Sequence, residues 1–142
     1  MVQATVQPVD AQVHPDFQGV WTANLGSSQC TTNSWKGQGD NDSDAIFKVS
    51  KQRVEYWEAN CSIVRFRAEN AAGDTDRTAT VDMECDGEGE VWRKRSIWYL
   101  AKIDGRKVLI EAETHRAEGE SKRSRQARPH STPRFSIALE CK

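Results

Sequence analysis

Features that identify many common protein classes are missing from this sequence of 142 residues. No apolar run approaches the ~20 residues that a membrane-spanning helix needs. No Cys-x-x-Cys pair occurs, which argues against a zinc ribbon or a thioredoxin-type redox centre. A phosphate-binding loop, a dinucleotide-binding fingerprint and a His-Glu-x-x-His metal motif are also absent. These absences argue against the nucleotide-binding, redox and metalloprotease classes.

The sequence also has little net charge and few histidines. It contains 20 Lys and Arg residues against 21 Asp and Glu, a formal net charge of −1, so no overall attraction to nucleic acid or to a membrane is expected. The three histidines, His14, His115 and His130, lie in segments that we predict to be irregular. The base of a catalytic triad must be held rigidly. We therefore predict that the protein is not an enzyme and uses no cofactor.

Two acidic segments could suggest a metal site. Asp40, Asp42 and Asp44 have the spacing found at the start of a calcium loop, but Ala45 stands where an EF-hand has its glycine. The second segment is the run of carboxylates at 84–90, which surrounds a glycine-rich turn. Acidic residues are ordinary in turns, so we interpret both segments as solvated and predict no bound metal.

What the sequence does contain is a strong β pattern, clearest between residues 78 and 99. From Val81 to Cys85 apolar and polar residues alternate, which is typical of a half-buried strand. Gly87 and Gly89 then supply the backbone freedom that a tight reversal needs, and an apolar, aromatic segment follows. This stretch predicts a β-hairpin.

Six further segments have strand character. Asp104-Gly105, which follows the hairpin, is the best two-residue turn signal in the chain. In the last segment Phe135, Ile137 and Leu139 share one face. The predicted strands cover residues 17–25, 45–50, 53–58, 61–69, 108–112 and 135–141.

This pattern predicts an all-β fold. Short strands joined mostly by hairpin-length connections are expected to form an antiparallel meander of about eight strands. Closing the meander removes two exposed edges. We therefore predict a small closed or nearly closed barrel, with a β-sandwich as the alternative.

The chain is long enough for one domain, which we place at residues 16–142. Residues 1–15 carry no periodic apolar face and are predicted to be a flexible N-terminal tail. Residues 113–134 nearly lack large apolar side chains and are predicted to be a long basic loop. Six basic and two acidic residues between 116 and 134 leave a charge of +4 there.

We predict that this loop contacts an anionic partner, such as an acidic protein surface or an anionic envelope lipid. The residues expected to make the contact are Lys122, Arg123, Arg125 and Arg128. Specific nucleic-acid binding is not expected, because no aromatic residues are interleaved with the basic ones.

Four well-separated cysteines in a small, strand-rich chain indicate two disulfides and an oxidising compartment. Three pairings could be formed. Cys85 and Cys141 each stand at the end of an alternating strand, in step with the apolar residues of that strand. We therefore predict a Cys85–Cys141 bond and, for the remaining pair, Cys30–Cys61.

The compartment follows from the cysteines. No signal peptide is visible after Met1, which fits either a cytosolic protein or a mature form to which Met1 was added. Because disulfides persist in oxidising surroundings, we predict a periplasmic or secreted protein.

Two short resemblances concern the first strand. Gly19-Val20-Trp21 resembles the Gly-x-Trp motif near the start of calycin barrels. The run GVWTANLGS that begins at Gly19 is similar to the opening strand of avidins. The avidin resemblance implies that Asn24, Leu25 and Ser27 contact a ligand, whereas the later avidin strands with biotin-contacting tryptophans have no counterpart here.

A longer resemblance covers residues 17–141. The pattern FxGxW…C, then YWEANC, then ECDGEGEVW, then a terminal strand ending in Cys is similar to a group of small, uncharacterised secreted four-cysteine proteins of α-proteobacteria. The resemblance implies export and disulfides, and it implies no activity.

The candidate ligand-binding residues are mostly tryptophans, of which the chain has five. Exposed aromatic residues often mark binding surfaces. The candidates are Trp21, Asn24, Trp35, Trp57 and Trp92. A small barrel can hold one ligand, so we predict a non-enzymatic binding module with a small apolar or amphipathic ligand in its mouth. The alternative is a protein-interaction or inhibitor module of the cell envelope that acts through its loops, and avidin-like biotin binding is a distant third.

Overall fold

The computed structural model describes residues 12–25, 30–31, 45–70, 77–118 and 134–141. It is a closed barrel of eight antiparallel strands, in which each strand pairs with the next along the chain and the last pairs with the first. The strands are β1 (Gly19–Thr22), β2 (Ile46–Val49), β3 (Arg53–Glu55), β4 (Asn60–Asn70), β5 (Arg77–Gly87), β6 (Glu90–Ile103), β7 (Arg106–Glu118) and β8 (Arg134–Glu140). The predicted all-β meander barrel is confirmed, and the sandwich alternative is wrong.

The two ends of the barrel are distinguished by strand direction. The upper end is defined as the one at which β1, β3, β5 and β7 finish, and the lower end as the one at which they begin. The wall is uneven, because β4 to β7 have 11 to 14 residues each while β1 to β3 have three or four.

Two tight turns have the backbone that their residues favour. Asp104 and Gly105 both have positive φ, 53° and 78°, as a two-residue hairpin turn of this kind requires, and the prediction of a turn there is confirmed. At the acidic tip the corresponding pair is Glu88 and Gly89. Gly87 is needed for a different reason: it allows the backbone of Glu58 to approach closely. A Cβ atom at position 87 would lie 2.5 Å from the carbonyl oxygen of Glu58.

The lower end is closed by a single 3-10 turn, Pro15–Phe17, that precedes β1. Phe17 is fully buried and its ring packs on Phe66 and Trp98, with centroids 5.5 and 5.8 Å away. Trp21 Nε1 donates to the carbonyl oxygen of Phe17 at 3.1 Å. These aromatic side chains therefore close the lower end of the barrel, while the apolar core as a whole continues to Cys61 and Cys85 near the upper end.

Charged side chains fix this turn to the strands around it. Asp16 forms an ion pair with Arg77, and Lys107 Nζ donates to the Asp16 carbonyl oxygen at 3.1 Å. Burial opposes ionisation of Asp16, but the hydrogen bond and positive charge of Arg77 prevail and hold the pKa of that carboxyl below its usual value.

The predicted N-terminal tail is too long by a few residues. Val13 is buried in the core, and its backbone N–H donates to the carbonyl oxygen of Lys51 at 2.9 Å. Residues 12–15 are therefore part of the packed structure, because a single apolar side chain suffices to anchor a short segment. Residues 1–11 lie outside the described residues.

The predicted basic loop is wrong at its start. β7 continues to Glu118, so residues 113–118 are a strand paired with β6. The segment lacks large apolar side chains because it lines a polar part of the barrel, where Glu113 and Arg116 are paired with each other. Lys122, Arg123, Arg125 and Arg128 lie outside the described residues, and their contact with an anionic partner stays a prediction.

Both disulfides exist, but the predicted pairing is wrong. Cys61 and Cys85 face each other on the neighbouring strands β4 and β5, with Cα atoms 3.9 Å apart, and are bonded. Cys30 is bonded to Cys141, with Cα atoms 5.0 Å apart. Cys141 lies beside β1, since its N–H donates to the carbonyl oxygen of Val20. Cys85 and Cys141 cannot pair, because β5 and β8 are separated by β6 and β7 and are not neighbours in the barrel.

The apolar face of β8 points away from the interior. Phe135 and Ile137 are 70% and 44% exposed, whereas Ala138 is buried. Ala138 belongs to the same core cluster as Phe17 and Trp98. The interior is crowded by aromatic rings at this level, so the strand turns its small residue inwards.

Candidate functional site

β6 lines the barrel interior over most of its length. Alternate residues from Trp92 to Leu100 are less exposed than their neighbours and face inwards. Trp98 and Leu100, nearer the lower end, belong to the apolar core. Above them, the inward side chains of β6 and β7 become polar and charged, whereas the facing parts of β4 and β5 stay apolar. We call this set the upper cluster; it consists of Phe47, Tyr56, Trp92, Lys94, Ser96, Glu111, Glu113, Arg116 and Arg134.

Ion pairs connect five side chains of the upper cluster. Lys94 is only 10% exposed, and its Nζ lies 3.4 Å from Glu111 Oε2 and 3.9 Å from Glu113 Oε2. Arg116 donates from Nε and Nη2 to the two carboxylate oxygens of Glu113, at 3.1 and 3.0 Å. Arg134 Nε lies 4.0 Å from Glu113 Oε1. Three cations and two carboxylates thus share one network that extends from the interior to the upper rim of the barrel.

A β-bulge makes this network geometrically feasible. Ser96 pairs with Glu113 and Arg95 with His115, so Thr114 is an extra residue on β7. Its hydroxyl donates to the carbonyl oxygen of Arg95 at 3.2 Å. Residues three apart in a regular strand face opposite sides, but the extra residue brings Arg116 back to the side of Glu113.

Aromatic rings border the charged groups. The rings of Phe47 and Tyr56 lie 5.4 Å apart, and Lys94 Nζ is 5.8 Å from the centroid of Tyr56. The guanidinium carbon of Arg116 lies 5.3 Å from the centroid of Trp92, a distance suited to a cation–π contact. The cluster can therefore offer both apolar surface and charge to a bound molecule.

Burial raises the pKa of the Tyr56 hydroxyl well above its usual value, and the negative charges of Glu111 and Glu113 raise it further. Arg116 acts in the opposite direction but does not prevail. Tyr56 therefore keeps its proton at neutral pH and can serve as a hydrogen-bond donor, not as a base.

Two buried polar atoms of the cluster have no hydrogen-bond partner among the described residues: Trp92 Nε1 and Ser96 Oγ. Other inward indoles are satisfied, since Trp98 Nε1 donates to Glu111 Oε2 at 3.3 Å. An unpaired buried donor costs roughly 1–3 kcal/mol. A molecule bound in the upper cluster could supply the acceptors that these two groups lack in the described part of the chain.

The tryptophan and asparagine candidates are dispersed over the structure. Trp21 is fully buried in the core, Trp57 is 49% exposed in the connection between β3 and β4, and Asn24 follows β1, with its N–H bonded to Thr22 Oγ1. Trp92 contacts the ionic network through Arg116. Trp35 lies outside the described residues.

The acidic tip of the β5–β6 hairpin is a surface feature. Its Glu84 lies on the outer face, where its carboxylate is 3.4 Å from Arg93. No group of His, Cys, Asp or Glu suited to holding a metal ion occurs among the described residues; residues 40–44 lie outside them. In the same part of the chain, no helix has the length and apolarity needed to cross a membrane.

Of the upper cluster, only Trp92 was predicted from the sequence as a ligand-binding residue. Lys94 and Ser96 alternate in step with Trp92 and Trp98. This alternation is the one signal from which their inward orientation could have been predicted. Glu113 and Arg116 carried no such signal, because the bulge that brings them together is not visible in an alternating pattern.

Comparison of the chain with protein-family models, with curated proteins and with solved structures found no match. The resemblances to calycins, to avidins and to secreted α-proteobacterial proteins thus stay predictions. The structure itself establishes an eight-stranded antiparallel barrel with two disulfides.

Proposed function

We propose that this protein is a non-enzymatic binding protein that holds a small ligand in the upper cluster of its barrel. The observation that carries the proposal is a pair of buried groups, Trp92 Nε1 and Ser96 Oγ, that have no hydrogen-bond partner in the described part of the chain. Binding sites for small molecules typically combine aromatic walls with a few placed polar groups, and the upper cluster has both.

The arrangement of the strands supports entry from the upper end. The 3-10 turn closes the lower end with Phe17. Trp92 and Ser96 are four residues apart on β6, which corresponds to ~13 Å along a strand. A ligand of small-molecule size could therefore meet both groups, with Lys94 between them.

The pairing of the charged groups supports binding over catalysis. Glu113 is engaged by Arg116 through both oxygens, and Lys94 is held between two carboxylates. These carboxylates thus face cations of the protein itself, whereas an acid or base catalyst must lie within hydrogen-bond reach of the reacting group.

The two disulfides support export to an oxidising compartment. We therefore propose a periplasmic or secreted location.

One observation favours the alternative of a protein-interaction module. On the outer face of β6 to β8, Tyr99, Ile110 and Ile137 lie in register, and the exposed Phe135 is one step away on β8. Such exposed apolar surface can serve as a contact for another protein.

The test is native mass spectrometry of the protein purified from its own source. Wild type is compared with Trp92→Ala, which alters the upper cluster, and with Trp57→Ala, which removes an exposed tryptophan elsewhere. We expect a noncovalently retained small molecule in wild type and in Trp57→Ala and its loss in Trp92→Ala. Equal retention by Trp92→Ala would contradict the site, and a co-purified protein with no small molecule would favour the alternative.

A further inference from the structure

The charges of the upper cluster are not balanced. Around Glu113 the structure places two guanidinium groups, Arg116 at hydrogen-bond distance and Arg134 at 4.0 Å. Lys94 is shared between Glu113 and Glu111. The five connected side chains therefore carry three positive and two negative charges, an excess of one positive charge.

Hydrogen-bond donors accompany this excess charge. The described hydrogen bonds of Arg116 use Nε and Nη2, so Nη1 can donate to a further acceptor. Trp92 covers the same guanidinium, and its unpartnered Nε1–H can only donate. Arg134 is 65% exposed and has no closer acceptor than Glu113 in the described part of the chain. Donors without acceptors and a surplus positive charge thus occur in the same network.

We propose that the upper cluster binds a small aromatic or otherwise apolar molecule that carries one carboxylate, with the carboxylate received by Arg116, Arg134 and Trp92. This inference rests on the proposed function and names its ligand class. Guanidinium groups and carboxylates form short, charge-assisted hydrogen bonds. The apolar body of the ligand would pack against Phe47 and Tyr56.

The charge count favours a monoanion over other ligands. One carboxylate brings the network to neutrality, whereas a phosphate dianion would add an uncompensated negative charge beside Glu113, which is only 9% exposed. A cationic ligand would increase the existing excess of positive charge. Ser96 Oγ, deeper on β6 and completely buried, can bond to a polar atom on the far part of the ligand.

The experiment compares three probes that differ in charge and little in shape: benzoate, benzamide and benzylamine. Each is titrated into isotopically labelled full-length protein, and the indole N–H signals of the five tryptophans are followed in proton–nitrogen correlation spectra. The Trp92 signal is assigned from the spectrum of Trp92→Phe. We expect benzoate to shift it and to bind about ten-fold more tightly than benzamide, since a hydrogen bond to a charged group exceeds a neutral one by about that factor. Benzylamine is expected to leave the signal unchanged.

A pair of matched variants locates the charge that selects benzoate. Arg134→Gln removes a cation of the network, and Arg93→Gln removes an exposed cation on the outer face of the same barrel end. We expect Arg134→Gln to weaken benzoate binding about ten-fold with benzamide binding unchanged, and Arg93→Gln to change neither. Circular dichroism of each variant confirms that the barrel is intact.

The outcomes separate this inference from the proposed function. Equal shifts from benzamide and benzoate, no shift from benzoate, or equal effects of Arg134→Gln and Arg93→Gln would overturn carboxylate selection. The proposed function would survive each of these results if native mass spectrometry finds a small molecule that Trp92→Ala loses. If no such molecule is found and no probe shifts the Trp92 signal, both fail.

Discussion

Ser96 and Glu113 lie directly opposite each other on β6 and β7, yet they do not form a hydrogen bond. The Glu113 carboxylate turns towards Arg116 and accepts from its Nε and Nη2. Since Arg116 offers two charged donors and Ser96 a single neutral one, the carboxylate is more strongly stabilised by the arginine. As a consequence, the buried serine hydroxyl has no hydrogen-bond partner among the residues that the structure describes.

This relationship predicts an unusual response to substitution of Ser96. Ser96→Ala should leave the free energy of unfolding unchanged or raise it by up to about 1 kcal/mol, because it removes a buried polar group that has no partner. Thr22→Val is the matched control, since Thr22 is equally buried but its Oγ1 accepts from the N–H of Asn24. The control should lose about 1 kcal/mol. Urea denaturation measures both, and a larger loss for Ser96→Ala than for Thr22→Val would show that the hydroxyl is paired.

Glu113 should be among the most important charged residues for stability. Glu113→Gln leaves Lys94 and Arg116 without their shared carboxylate, so we expect a loss of about 1.5–3 kcal/mol, the range for hydrogen bonds to charged groups. Glu84→Gln breaks an exposed pair with Arg93 and should cost less than about 0.5 kcal/mol. Thermal or urea denaturation of the two variants checks this order, and similar losses would mean that the internal network is as well solvated as the surface pair.

The disulfide pairing can be checked directly. A non-reducing proteolytic digest should yield one linked fragment containing Cys61 and Cys85 and another containing Cys30 and Cys141, and thiol titration of the unfolded, unreduced protein should find no free cysteine. From the sequence separations of 24 and 111 residues, loop entropy assigns about 3.5 and about 4.8 kcal/mol to the two bonds. Replacing Cys30 and Cys141 by Ala should therefore destabilise the protein strongly. A fragment linking Cys85 to Cys141 would contradict the structure.

The ion pair of Asp16 and Arg77 predicts an acid-dependent contribution to stability. The pKa of Asp16 is lower in the folded protein than its ordinary value of 3.8, so its ionised form stabilises the fold. This contribution is fully present above the unfolded pKa and disappears as pH falls through the lower, folded pKa. Asp16→Asn should cost up to about 1 kcal/mol at pH 7, the range of a partly exposed pair, and the difference from wild type should vanish in strong acid. Urea denaturation at several pH values measures it, and a difference that persists at low pH would exclude the charge as its cause.

The local sequence pattern by itself determined most of the elements of this fold. Alternation placed the strand from Val81 to Cys85, and Asp104-Gly105 has the positive φ angles that its residue types favour. The number of strands and their hairpin-length connections led to a closed meander. These features depend on neighbouring residues in the chain, so a sequence contains them directly.

Tertiary structure decided what alternation leaves open. Alternation along β8 shows that Phe135 and Ile137 share a face. The aromatic rings that fill the interior decide that this face is the outer one. Alternation also cannot show that Cys61 faces Cys85, because that depends on which strands become neighbours. In the upper cluster one extra residue, Thr114, returns Arg116 to the side of Glu113. Strand order, competition for interior volume and a bulge arise only when the whole sheet closes, and for that reason they determined the candidate site.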